Sequence, residues 1–101
     1  MIESMVSEMD TIVFKLYMAG DSSNSARALA NLRALCKKHL PECHQIEIVD
    51  VLKEPLKALD DGIIVTPTLV KVSPAPIKKI IGDLGAPDKI LAALGLPKEI
   101  E

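Results

Sequence analysis

Four side chains able to bind a metal or react through sulfur fall within nine residues, at Cys36, His39, Cys43 and His44. Cys36 and His39 lie three apart and would share one helix face, as two ligands of a tetrahedral zinc site can. Adjacent ligands at 43 and 44 are awkward for that geometry, and the usual Cys-x-x-Cys spacing is absent. Cys36 also falls on an apolar stripe with Leu29, Leu32 and Leu40, so it reads as a core thiol. His39 then reads as an imidazole near the negative end of a helix. No metal is expected, although the sequence leaves open whether Cys36 and Cys43 pair or bind one. No Gly-rich phosphate loop occurs, and neither His lies in a recognisable nucleophile motif. Asp60 and Asp61 read as the solvated end of a short helix. No catalytic constellation is found and no cofactor is implied.

Charge and composition narrow the remaining functions. Twelve basic residues against fourteen acidic ones leave a net charge of −2, and aromatics are 2% of the 101 residues. Nucleic-acid binding wants clustered basic charge and stacking rings. Here the basic clusters are only Lys37-Lys38 and Lys78-Lys79, so no nucleic acid is expected. The longest apolar run is far short of the roughly 20 residues of a membrane helix. The first ten residues carry three acids and no base, unlike a secretory leader. A cytoplasmic, non-membrane domain is expected, as a monomer or small homo-oligomer. Its boundaries are read as 11–96, between short tails at 1–10 and 97–101.

The elements follow from punctuation and period. Residues 11–18 are β-branched and aromatic, as a mostly buried strand would be. Asp21 or Ser22 can cap the helix that follows, from Ser23 to Leu40, and Pro41 marks its end. A second strand is expected over 45–51, then a short helix from Pro55 to about Asp61, with Gly62 at its C-terminus. Two strands, 68–72 and 77–81, flank the turn Ser73-Pro74-Ala75-Pro76. In the last helix Pro87 takes the first position and Asp88 suits the dipole. Ile90, Leu91 and Leu94 make its buried face, and Gly95 and Pro97 end it.

The order is βαβαββα: an α/β chain with a four-stranded mixed sheet flanked by three helices. The first unit is parallel with a right-handed crossover, and the last pair antiparallel. This is the thioredoxin-like order. In thioredoxins a Cys-x-x-Cys sits between first strand and first helix, where the helix N-terminus depresses a thiol pKa. Here that place reads Ser22-Ser23-Asn24-Ser25, and serine cannot form the mixed disulfide of thiol exchange. A thiol-redox protein is therefore the disfavoured alternative. Thr66-Pro67 stands where such folds hold a cis proline before the third strand.

The blocks KLYMAG at 15–20, NSARAL at 24–29, VDVLK at 49–53 with Pro55, TPTL at 66–69 and IIGDL at 80–84 resemble the KaiB family of clock proteins. The resemblance spans about residues 11 to 96 with nearly constant spacing. It implies a non-enzymatic adaptor that binds a KaiC-like ATPase and modulates its phosphorylation or timing cycle. A SasA-type histidine kinase network is a further implied partner, because the sensor domain of those kinases shares the fold. A diverged homologue acting in stress or environmental adaptation, without KaiC binding, is the alternative.

The family is metamorphic, and the resemblance implies a second packing in which the C-terminal segment is a strand. Here Ala92 and Ala93 favour helix over strand. Gly95 and Pro97 fit a helix end and would damage a strand. The thioredoxin-like state is therefore expected to predominate. Pro67, Gly82, Asp83, Ala93, Gly95 and Pro97 are the candidate fold and switch positions, Gly82 and Asp83 as the turn where the last strand leaves the sheet. Arg27, Lys71 and Lys78 match basic positions used in the family's assemblies. Lys79 extends the pair, although neighbouring strand residues face opposite ways. Glu47 stands where the family carries Lys on the strand that meets KaiA, so KaiA binding is doubtful: the charge is reversed.

Overall fold

The structure, a computed structural model, describes residues 11–39 and 44–95. Strand β1 (Ile12–Met18) is followed by helix α1 (Ser23–His39), β2 (His44–Asp50), the short α2 (Pro55–Asp60), β3 (Thr68–Ser73), β4 (Lys78–Ile81) and α3 (Pro87–Leu94). The sheet order is β2-β1-β3-β4. β1 runs parallel to β2 and antiparallel to β3, and β4 is antiparallel to β3. The expected βαβαββα order and mixed sheet are therefore present, with element ends within about two residues of those expected. Leu40, Pro41, Cys43, Pro97 and both tails lie outside the described residues.

Alternation along the strands sorts side chains to two faces. One face carries Ile12, Phe14, Leu16 and Leu69, which meet Ala28, Leu32, Leu35 and Cys36 of α1 and Ile90, Leu91 and Leu94 of α3 in a single buried cluster. The other face holds a smaller cluster of Tyr17, Val49 and Val70, and Ala58 is the buried residue of α2. One face is thus covered by two helices and the other by a helix of six residues. That asymmetry leaves part of the second face open.

Local chemistry starts and stops the helices. Ser22 caps α1, its Oγ accepting from Ser25 N at 3.2 Å, which satisfies a donor the first turn leaves unpaired. Pro87 opens α3 and Gly95, at φ 74°, closes it. At the end of α2, Gly62 N donates to Leu59 O and Ile63 N to Ala58 O, a Schellman pair that needs the φ of +75° at Gly62. Thr66-Pro67 is cis, as are Ser73-Pro74 and Ala75-Pro76.

Candidate partner-binding surface

The serine run between β1 and α1 is structural. Ser25 is fully buried and its Oγ accepts from Ala19 N at 3.1 Å. With the Ser22 cap, this closes the loop through hydroxyls where a redox protein would hold thiols. Cys36 lies in the core, and burial pushes its thiol up to about 11. His39 ends α1, its Nδ1 buried without a partner among the described residues. Cys43 is outside those residues, and among them no group of three metal-binding side chains forms.

Arg27 and Asp83, 56 positions apart, are brought together. Arg27 Nε lies 3.4 Å from Asp83 Oδ2, and its Nη2 donates to Asn24 Oδ1. Asn31 Nδ2 donates to the Asp83 carbonyl at 2.7 Å, and Asp83 Oδ1 accepts from Gly85 N at 3.1 Å. Gly82, at φ 123°, precedes this turn and its N–H bonds the Pro67 carbonyl at 3.0 Å. Leu84 adopts φ 64°, a conformation that disfavours a non-glycine residue, while its side chain is buried in the main cluster. Candidate switch residues 67, 82 and 83 therefore converge on one corner, tied to α1 through Arg27 and Asn31. Ala93 is on the exposed side of α3, away from that corner's hydrogen bonds.

The other basic candidates do not form one patch. Lys71 is a correction to the expected surface: it is 4% exposed, and its Nζ donates to the Pro74 carbonyl at 3.0 Å. It is paired in register with Phe14, so strand alternation turns it to the face covered by α1 and α3. Lys78, next to it in register, lies on the same face and is exposed, whereas Lys79 lies opposite.

A feature not legible in the sequence is a set of exposed aliphatic side chains. Leu52, Leu56, Leu59 and Ile64 are 70%, 74%, 71% and 93% exposed, and Val65 and Ile81 join them at 44% and 68%. Leu56 and Leu59 are i, i+3 on α2 and so share a side. Ile63, Ile64, Val65 and Ile81 line a cavity of about 200 Å³ with Thr68 and Lys79. Only the tertiary arrangement shows that nothing among the described residues covers them.

Residues 15–96 match the model of the KaiB domain. The chain belongs to the KaiB family. The circadian clock oscillator protein KaiB of Gloeothece citriformis is 45% identical over 86 residues, covering 85% of this chain and 81% of that protein. The fold is thioredoxin-like. Mitochondrial thioredoxin 3 of Saccharomyces cerevisiae superposes with a TM-score of 0.67 at 17% identity, over 91% of this chain and 85% of that one. The N-terminal domain of SasA from Synechococcus elongatus gives 0.70 at 14% identity, over 91% and 90%.

The KaiB-like blocks have visible structural tasks. Asp50 Oδ1 accepts from Gly20 N at 3.2 Å and from Leu52 N at 3.0 Å, joining the turns after β1 and β2. A Cβ on Gly20 would lie 3.1 Å from Leu52 Cδ1, at φ 56°, so both space and conformation favour glycine there. Glu47 is engaged by Lys57 at 2.8 Å.

Proposed function

We propose that this KaiB-family chain is a non-catalytic adaptor that docks on a KaiC-type ATPase and modulates its phosphorylation or timing cycle. The observation that carries this is the run of exposed aliphatic side chains from Leu52 through α2 to Ile64, Val65 and Ile81. Clustered exposed aliphatic side chains, as where Ile64, Val65 and Ile81 line one cavity, support a protein-binding site. Of the basic candidates Lys79 borders it, whereas Arg27 on α1 and Lys78 on the opposite face of the sheet would serve as separate charged contacts. Lys71 contributes only if β3 repacks, since here it is buried. Pro67, Gly82, Asp83, Ala93 and Gly95 set the packing of the C-terminal half that presents this surface.

Glu47 favours a narrower partner set. Its carboxylate stands on edge strand β2 with one cation, Lys57, already bound, and it opposes any partner that expects a lysine there. KaiA is therefore not among the proposed partners. The SasA-like sensor fold suggests a kinase network competing for the same ATPase.

Size-exclusion chromatography with light scattering, with and without the KaiC-type ATPase and its nucleotide, tests the reading. Co-elution is expected, together with its loss in Leu56→Asp/Leu59→Asp. Absence of a complex after prolonged incubation overturns KaiC docking and leaves the diverged, stress-related homologue.

A further inference from the structure

The face opposite α1 and α3 carries a second feature, which shares Lys79 with the proposed docking surface but is a separate cleft. Lys15, Val70 and Lys79 are register neighbours across β1, β3 and β4. Their side chains therefore stand in one row on the open face. Two strand spacings place the lysine Cβ atoms about 10 Å apart, with the valine between them. Val72 and Ile77 continue the apolar floor, and Tyr17 and Asp61 close the end beneath α2. The cleft they enclose measures about 330 Å³, room for a ligand of about a dozen non-hydrogen atoms.

Its charges are unevenly satisfied. Asp61 Oδ2 accepts from the Tyr17 hydroxyl at 2.5 Å and lies 3.9 Å from Lys15 Nζ. Lys79 Nζ reaches only the Asp61 carbonyl oxygen, at 3.4 Å, and among the described residues has no carboxylate within ion-pair distance. Two cations against one carboxylate leave one net positive charge in the cleft. Ile77, at its rim, is 64% exposed. The cleft thus combines an unmet positive charge with an apolar wall whose accessible part is Ile77 and half-buried Val72, Val70 being buried at its base.

We propose that this cleft binds a small amphipathic monocarboxylate, its head between Lys15 and Lys79 and its short apolar body against Val72 and Ile77. The single net charge fits a monoanion; a phosphate monoester, near −2 at neutral pH, would overcharge it. Lys79 supplies a charge-assisted hydrogen bond to the head. The apolar body releases water from the floor.

Tyr17 is the chain's only tyrosine, and there is no tryptophan, so intrinsic fluorescence reports directly on the end of the cleft. The full chain is titrated with hexanoate, following tyrosine emission and the methyl resonances of Val70, Val72 and Ile77. Saturable shifts with a dissociation constant of about 1 mM are expected for so small a probe. Acetate, lacking the body, and hexanol, lacking the charge, should each bind about tenfold more weakly. Lys79→Met and Lys15→Met keep the aliphatic stem and should each weaken hexanoate about fivefold while leaving hexanol unchanged. Equal binding of hexanol and hexanoate, undiminished binding in both lysine variants, tighter binding of phenyl phosphate, or no saturable shift would each overturn the proposal. Lys79 is an exposed edge-strand residue, so its variant remains informative should Lys15→Met fold poorly. No ATPase is present in this titration, so its result stands apart from that of the docking experiment.

Discussion

Tyr17 of β1 donates a 2.5 Å hydrogen bond to Asp61 at the end of α2, across 44 residues of sequence. It couples the sheet to the short helix that covers its second face. Other polar contacts span the same divide: Lys15 meets Asp61, Lys57 meets Glu47 and Arg27 meets Asp83. Each joins a residue before Val51 to one after it. The C-terminal half is held to the βαβ unit by charge as well as by the apolar core.

Burial first, and then the bond to Asp61, raises the Tyr17 phenol well above its ordinary value. A raised folded value means the contribution is complete below the unfolded value of about 10 and is lost as pH rises through the folded one. Phenolate absorbance at 295 nm should therefore stay low in the native chain at about pH 10.5 and appear on adding denaturant. Tyr17→Phe should cost about 1 kcal/mol in urea unfolding, because Asp61 loses its donor.

Glu47 is held below the usual carboxylate range by its hydrogen bond from Lys57, whose own value is raised by the same bond. The carboxylate's contribution is present above about pH 4.3 and fades as pH falls; the ammonium's is present below about pH 10.4 and fades as pH rises. Both groups are solvated, so the pair is weak and screened by salt. Glu47→Lys sets a new cation beside Lys57 and Lys15. The melting temperature should fall at low salt, with much of the loss recovered in about 0.5 M NaCl.

Gly82 adopts φ 123° with nothing within 4 Å of an added Cβ. Gly82→Ala should thus cost about 1–3 kcal/mol through backbone conformation alone. Ala93 is exposed in α3, and Ala93→Gly should cost about 1 kcal/mol through helix propensity. Urea titrations compare the two, and amide exchange in Ile90–Leu94 should quicken for the second. A silent Ala93→Gly would argue against a helix at 87–94.

Cys36 is fully buried and its thiol is pushed up to about 11, so little thiolate exists at neutral pH. Alkylation followed by peptide mass mapping should leave Cys36 unmodified in the native chain and label it in urea. Rapid native labelling would revive the redox reading.

Leu56 and Leu59 are more than 70% exposed. Leu56→Asp and Leu59→Asp should each change stability by less than about 0.5 kcal/mol while abolishing ATPase capture. Thermal melts beside the co-elution assay separate the two effects.

Local chemistry written in the sequence determined the elements and much of their order. Ser22, Pro55, Gly62, Pro87 and Gly95 act within a few residues of their own position, so their roles can be read without a fold. The alternating apolar strands and the α1 stripe likewise point to one core. The serines at 22, 23 and 25 cannot form the mixed disulfide of thiol exchange at that loop, which their identity alone determines. Tertiary structure decided what depends on distant neighbours. It turned Lys71 inward because strand register sets it beside Phe14 under two helices. It left Leu56, Leu59 and Ile64 outside because α2 is too short to be enclosed. It also met Arg27 with Asp83, and Tyr17 with Asp61, across 56 and 44 residues. Burial and charge pairing depend on which elements pack together, and that sum over the whole chain is not carried by any one segment.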